Sequence, residues 1–204
     1  MKSSPSGGWS TARDAVPTAR DAGPTARDPR SMTAGVDRWG GILSADEREA
    51  VCAVIDRWAE RELADEASAL VAADRQEGGD PVTGAPRWYL RMRGDEKDYV
   101  TVWLTLRQRT LHHEAQFMPA PETNVEATWE YLLKRNADLL GMSFALGPEA
   151  AIYLVGRVPV ERVDDEELDR VMGASLAYTD ECFPTAMTLG YEGMYRRRPQ
   201  SARD

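Results

Sequence analysis

Two short segments of this 204-residue chain alternate so cleanly that little choice of local structure remains. In "RWYLRMR" (87–93), Trp88, Leu90 and Met92 hold one parity, and Arg87, Tyr89, Arg91 and Arg93 hold the other. In "YVTVWLTL" (99–106), Val100, Val102, Leu104 and Leu106 alternate with Tyr99, Thr101, Trp103 and Thr105. Successive side chains of a strand point to opposite faces, so a period of two predicts strands with one buried side. The turn-forming "GDEKD" between them makes the pair an antiparallel hairpin. "TLHHEAQF" (110–117) adds a third strand with Leu111, His113 and Phe117 facing inward.

Around this sheet the periodicity changes to that of helices. Ser44 and Glu47 have capping-box spacing, and Val51, Ile55 and Trp58 mark a first helix over about 46–72. "QEGGDPVTGAP" breaks it. A second helix is expected over about 123–140, ended by Gly141. Its apolar stripe of Val125, Trp129, Leu132 and Leu140 carries Asn136 in the middle. A buried amide must find partners. At a helix-to-strand turn its donors and acceptor suit backbone groups, so Asn136 is expected to be a structural polar clamp. "SFAL" and "AAIYLVGRV" follow as two more strands. Asp164 and Glu167 then cap a last helix, which Pro184 ends or kinks. The order is α-β-β-β-α-β-β-α, an α+β sandwich of a mostly antiparallel sheet with helices over one face.

Outside this pattern the chain changes character. "TARDAVP", "TARDAGP" and "TARDP" repeat with a period of seven from Thr11, and proline ends each full copy. Such a segment buries too little to offset its ordering entropy. Residues 1–38 are therefore expected to be a disordered tail, 39–195 one domain, and 196–204 a basic C-terminal tail. Of the net charge of −9, the two ends contribute +2 and +3, which leaves −14 on residues 39–195. That field repels nucleic acid and anionic lipid. Cys52 and Cys182 stand far apart in sequence and read as two buried reduced thiols. There is no apolar leader and no run long enough to span a bilayer, so a cytoplasmic protein is expected.

Reactive constellations are missing from the sequence. His112 and His113 point to opposite sides of one strand, and His113 reads as a satisfied core histidine. "EGGD" lacks the lysine and helix of a phosphate loop, and Cys182 has no histidine near it in sequence. The acidic run 164–167 is a helix start that complements the dipole. No cofactor, metal-ligand set or catalytic residue is expected.

The domain resembles the YbjN family of bacterial proteins in its actinobacterial form, from about Arg87 to Tyr191. The resemblance rests on "KDYVTVWLTLRQRTL", "YLLKRNADLLGMSFAL", "IYLVGRVPV" and "DDEELDRVMG". It implies a fold similar to type III secretion chaperones and the label of a sensory transduction regulator. It brings no catalytic residue.

Strand alternation puts large aromatics and arginines on the sheet face opposite the core, where something is expected to cover them. The first helix, the C-terminal segment from Met187 to Tyr195, a second copy of the chain and a partner are the candidate covers. Arg91, Tyr99, Trp103, Tyr153 and Arg157 form the candidate interaction surface, since Arg, Tyr and Trp are enriched at binding hot spots. The expected function is a non-catalytic protein-binding module, a homodimeric chaperone-like adaptor or regulator. The alternative is a protein or enzyme that takes a small, phosphorylated ligand through Arg157, Arg135 or the strand arginines.

Overall fold

The computed structural model describes residues 42–197. Helix α1 (Ala45–Ala64) leads into β1 (Leu70–Arg75), β2 (Arg87–Arg93), β3 (Tyr99–Leu106) and β4 (Thr110–Met118). Helix α2 (Val125–Arg135), β5 (Met142–Leu146), β6 (Ile152–Pro159) and helix α3 (Asp165–Gly190) follow. The six strands form one antiparallel sheet in the order β1-β2-β3-β4-β6-β5. The α+β class and the antiparallel sheet are those expected; the order of elements gains one strand.

That strand is β1. The first helix was expected to reach about 72, but it ends at Ala64. Asp65 takes an extended conformation there, and Ser68 Oγ reaches back to Glu62. "LVAADR" has no clean alternation and is rich in helix formers, yet pairing with β2 outweighs that propensity. The pairing slips by one residue between Leu70 and Ala72. A second correction concerns α2, which ends at Arg135, so Leu140 lies in the turn beyond it and is 72% exposed rather than on the buried stripe.

The inward parity of the strands builds the core. Trp88, Leu90, Met92, Val100, Val102, Leu104, Leu106, Leu111, Phe117, Ile152 and Leu154 are all buried. Phe117 meets Phe144 and Phe183 edge to face, at ring separations of 4.8 and 5.8 Å. The three helices among the described residues lie on this side. Helix α3 buries Leu168, Val171, Met172, Ser175, Thr179, Cys182 and Ala186 along one stripe. Its two buried hydroxyls donate to carbonyls one turn back, Ser175 to Val171 and Thr179 to Ser175. Pro184 sits within α3 and does not end it.

Helix α1 is pinned by two tryptophan N–H groups. The Trp58 indole donates to Asp169 of α3 at 2.7 Å, and the Trp88 indole of β2 donates to Asp56 of α1 at 2.6 Å. Each is a bond to a charged acceptor, a kind that stabilises a fold by about 1.5–3 kcal/mol. Arg61 adds ion pairs to Asp165 and Asp169. Cys52 on α1 and Cys182 on α3 are free thiols, both fully buried. The repeat of residues 11–29, and the tail expected over 1–38, lie outside the described residues, as do 198–204.

Candidate interaction face

The strand register settles which side chains share the side of the sheet opposite the core. Arg87 pairs with Thr105, Thr105 with His112 and His112 with Arg157, which makes one row across β2, β3, β4 and β6. The next row runs through Tyr89, Trp103, Glu114 and Val155, and beyond it lie Arg91, Thr101, Gln116 and Tyr153. The sequence-predicted residues Arg91, Tyr99, Trp103, Tyr153 and Arg157 thus occupy the same face, on β2, β3 and β6.

These side chains hold one another. The Arg87 guanidinium lies 4.2 Å from the centre of the Trp103 ring, and that ring meets Tyr89 edge to face at 5.0 Å. Arg91 lies 3.8 Å from the centre of the Tyr99 ring. Such cation–π contacts are worth about 0.5–1 kcal/mol at exposed sites and more when desolvated. The Nε atoms of Arg87, Arg91 and Arg107 are buried without a hydrogen-bond partner among the described residues. Arg87 reaches Asp80 at 3.5 Å, whereas Arg91, Arg93, Arg107 and Arg157 make no ion pair among the described residues. A ring sets the position of Arg91, and a ring together with the Asp80 carboxylate that of Arg87.

Arg87, Arg91, Arg93, Arg107 and Arg157 gather on this face of a domain whose residues 39–195 carry −14. Asp74, Asp80 and Glu114 share the face, and Glu96 and Asp98 stand beside Arg91 and Tyr99 at one corner. Burial, then Arg157 and Arg107, pull His112 below the usual imidazole range. Arg107 and Asp80 were not singled out from the sequence. Arg107 continues the parity of Tyr99, Trp103 and Thr105 one step past β3, and that extension was the available signal.

Neither intramolecular cover crosses the face. Helix α1 lies on the core side with Trp88, and Met187 and Tyr191 pack against the core, with the Tyr191 hydroxyl on the Ala120 carbonyl. Tyr195 and Arg196 reach one corner, beside Arg91, Tyr99 and Thr101. Tyr99 remains 41% exposed and Arg157 is exposed.

Other candidates fall elsewhere. Arg135 sits on α2 and pairs with Glu181 and Asp138 on the helical side, away from the strand arginines. The Asn136 carboxamide accepts from the Phe144 N–H at 2.6 Å and donates to the Phe144 carbonyl at 3.3 Å. His113 is buried in the core, but its Nε2 has no partner among the described residues, so it is not the satisfied histidine expected. Its ring lies over Gly156, where a Cβ would come within 2.3 Å of the ring, so only glycine fits opposite it. Among the described residues no group of His, Cys, Asp and Glu could hold a metal ion, and no helix is long and apolar enough to cross a membrane.

A protein of Mycobacterium leprae, named only as uncharacterized, is 32% identical over 114 residues, which cover 56% of this chain and 62% of that protein. An uncharacterized protein of Mycobacterium tuberculosis is 31% identical over 120 residues, 59% of this chain and 66% of that one. The chain thus spans somewhat less than two thirds of these relatives. The family model described as "Putative bacterial sensory transduction regulator" matches residues 67–186, from just before β1 to the last third of α3. A match of that extent places the chain in the YbjN family.

Proposed function

We propose that this protein is a non-catalytic binding module, a regulator or adaptor that takes an acidic segment of another polypeptide on the open face of its sheet. The observation that carries the reading is the layer of arginines and aromatics on that face, which no helix among the described residues covers. Stacked guanidinium and ring groups give a partner large contact area at low entropy cost, and unpaired arginines give it charge. An isologous contact through this face would set arginines against arginines, so a partner of opposite charge suits it better than a second copy. The family description, a regulator rather than an enzyme, is in keeping with this.

The test is the double variant Trp103→Ala with Arg157→Ala as bait in a native lysate, beside the wild type. Wild type is expected to retain acidic partners that poly-glutamate competes away, and the double variant to lose them with its thermal midpoint within about 3 °C of wild type. Retention of the same partners by a folded double variant would sink the reading. Binding of inorganic phosphate to the row of Arg107, His112 and Arg157, with no protein retained, would favour the small-ligand alternative.

A further inference from the structure

We infer that Asn136 is an edge guard: its carboxamide stands in for a missing seventh strand beside Phe144 and keeps β5 closed to a second copy of this chain. Strand β5 lies at one end of the sheet, with β6 on one side and, among the described residues, no strand on the other. In an antiparallel ladder alternate residues turn both backbone groups toward one neighbour. Phe144 stands opposite Leu154 of β6, yet its N–H and carbonyl both bond the Asn136 side chain, so both point off the edge of the sheet. A primary amide offers one acceptor and donors on the same plane, the pattern that the backbone of an adjoining strand would offer.

The rest of β5 lacks the usual protection. Edge strands are commonly guarded by charge, proline or bulges. The opposite edge, β1, has these: Asp74 and Arg75 within the strand and a slipped register after Leu70. Strand β5 reads "MSFAL", with no charge, no proline and no slip in its pairing. Apolar surface gathers beside it. Leu133 and Leu146 are 66% and 55% exposed, and with Trp129, Phe144 and Ile152 they line a groove of about 130 Å³ between α2 and β5. Leu140 precedes the strand and is exposed as well. A second β5 laid antiparallel to the first meets no like charge and covers these leucines. For that reason the occupant that the edge fits is another copy of this chain. Asn136, held at the end of α2, occupies the central position that such pairing needs.

The test is sedimentation velocity on wild type and Asn136→Ala from micromolar to hundred-micromolar concentration. The alanine variant is expected to gain a self-association step absent from wild type, its mass rising toward twice the wild-type value. Adding Leu146→Lys, a charge on the edge, is expected to abolish that step. In wild type the Phe144 amide should exchange slowly with solvent deuterium although β5 is an edge strand. Where the alanine variant loses its fold, Asn136→Ser, which keeps a polar group at the turn but is too short to make both bonds to Phe144, is expected to show the same step. A folded variant that keeps the wild-type mass at every concentration overturns the inference, as does association that Leu146→Lys leaves intact or fast exchange at Phe144.

Discussion

The two faces of this sheet are made by the same strands from alternating residues, and they follow different physical rules. The inner face is almost wholly apolar and is sealed by three helices; its stability comes from area removed from water. The outer face is built from arginine, tyrosine, tryptophan and threonine that satisfy one another by stacking and stay partly wet. Burial on one parity frees the other parity from any duty to the fold. A face that carries costly, well-positioned side chains beyond what the core needs is the one we propose for recognition.

The sharpest way to break this contrast is to truncate neighbours in one strand. Leu104→Ala opens a cavity in a close-packed core and is expected to cost about 3–4 kcal/mol in denaturant unfolding. Trp103→Ala, one residue earlier, removes a larger side chain but only a half-buried one, and about 1 kcal/mol is expected. Equal losses would make the outer face a second core.

The next effect is one of pH, and it belongs to the inner face. Burial, aided by Arg170, holds His113 down at about 4, against an ordinary value of 6.5. Above 6.5 both folded and unfolded chains carry it neutral, so its full contribution is present. As pH falls from 6.5 toward 4 the unfolded chain takes up a proton that the folded chain refuses, and stability drops. The expected loss is about 2–4 kcal/mol, complete once pH passes below the folded value. Unfolding measured from pH 7 to pH 4 should show a slope that His113→Leu flattens; parallel curves for the two proteins would refute it.

Smallest of all is Arg157→Ala. Arg157 is exposed and unpaired among the described residues, so stability is expected to stay within about 0.5 kcal/mol of wild type while partner capture weakens. A loss well above that would assign Arg157 to the fold.

Period-two stretches were legible residue by residue: each inward position named in β2, β3 and β4 is buried. Their legibility has a cause, since a one-residue slip would turn Trp88, Leu90 and Met92 out to water. Strand β1 was not legible because Leu70, Val71, Ala72 and Ala73 lie at an edge with a slipped register, where one face buries little. The early end of α2 was hidden for a similar reason. Leu139 and Leu140 continue the helical period, and only the Asn136 bonds to Phe144 and the Leu140 N–H bond to the Tyr178 hydroxyl show where the chain leaves the helix. The parity of the candidate face could be read from the strands. The gathering of Arg87, Arg107 and Asp80 at one end of it could not, because a loop brings Asp80 there.

The two cysteines give the molecule a built-in pair of clocks. Cys52 lies under α1 and Cys182 under α3, each sealed from solvent, and burial raises the Cys52 thiol above its ordinary range. A thiol reagent can reach either sulfur only when the helix above it lifts, so each labelling rate records how often that helix opens. The family match begins at residue 67 and leaves α1 outside it. Labelling of Cys52 against Cys182 therefore times the helix outside the family match against the one within it, in a single chain and without any mutation.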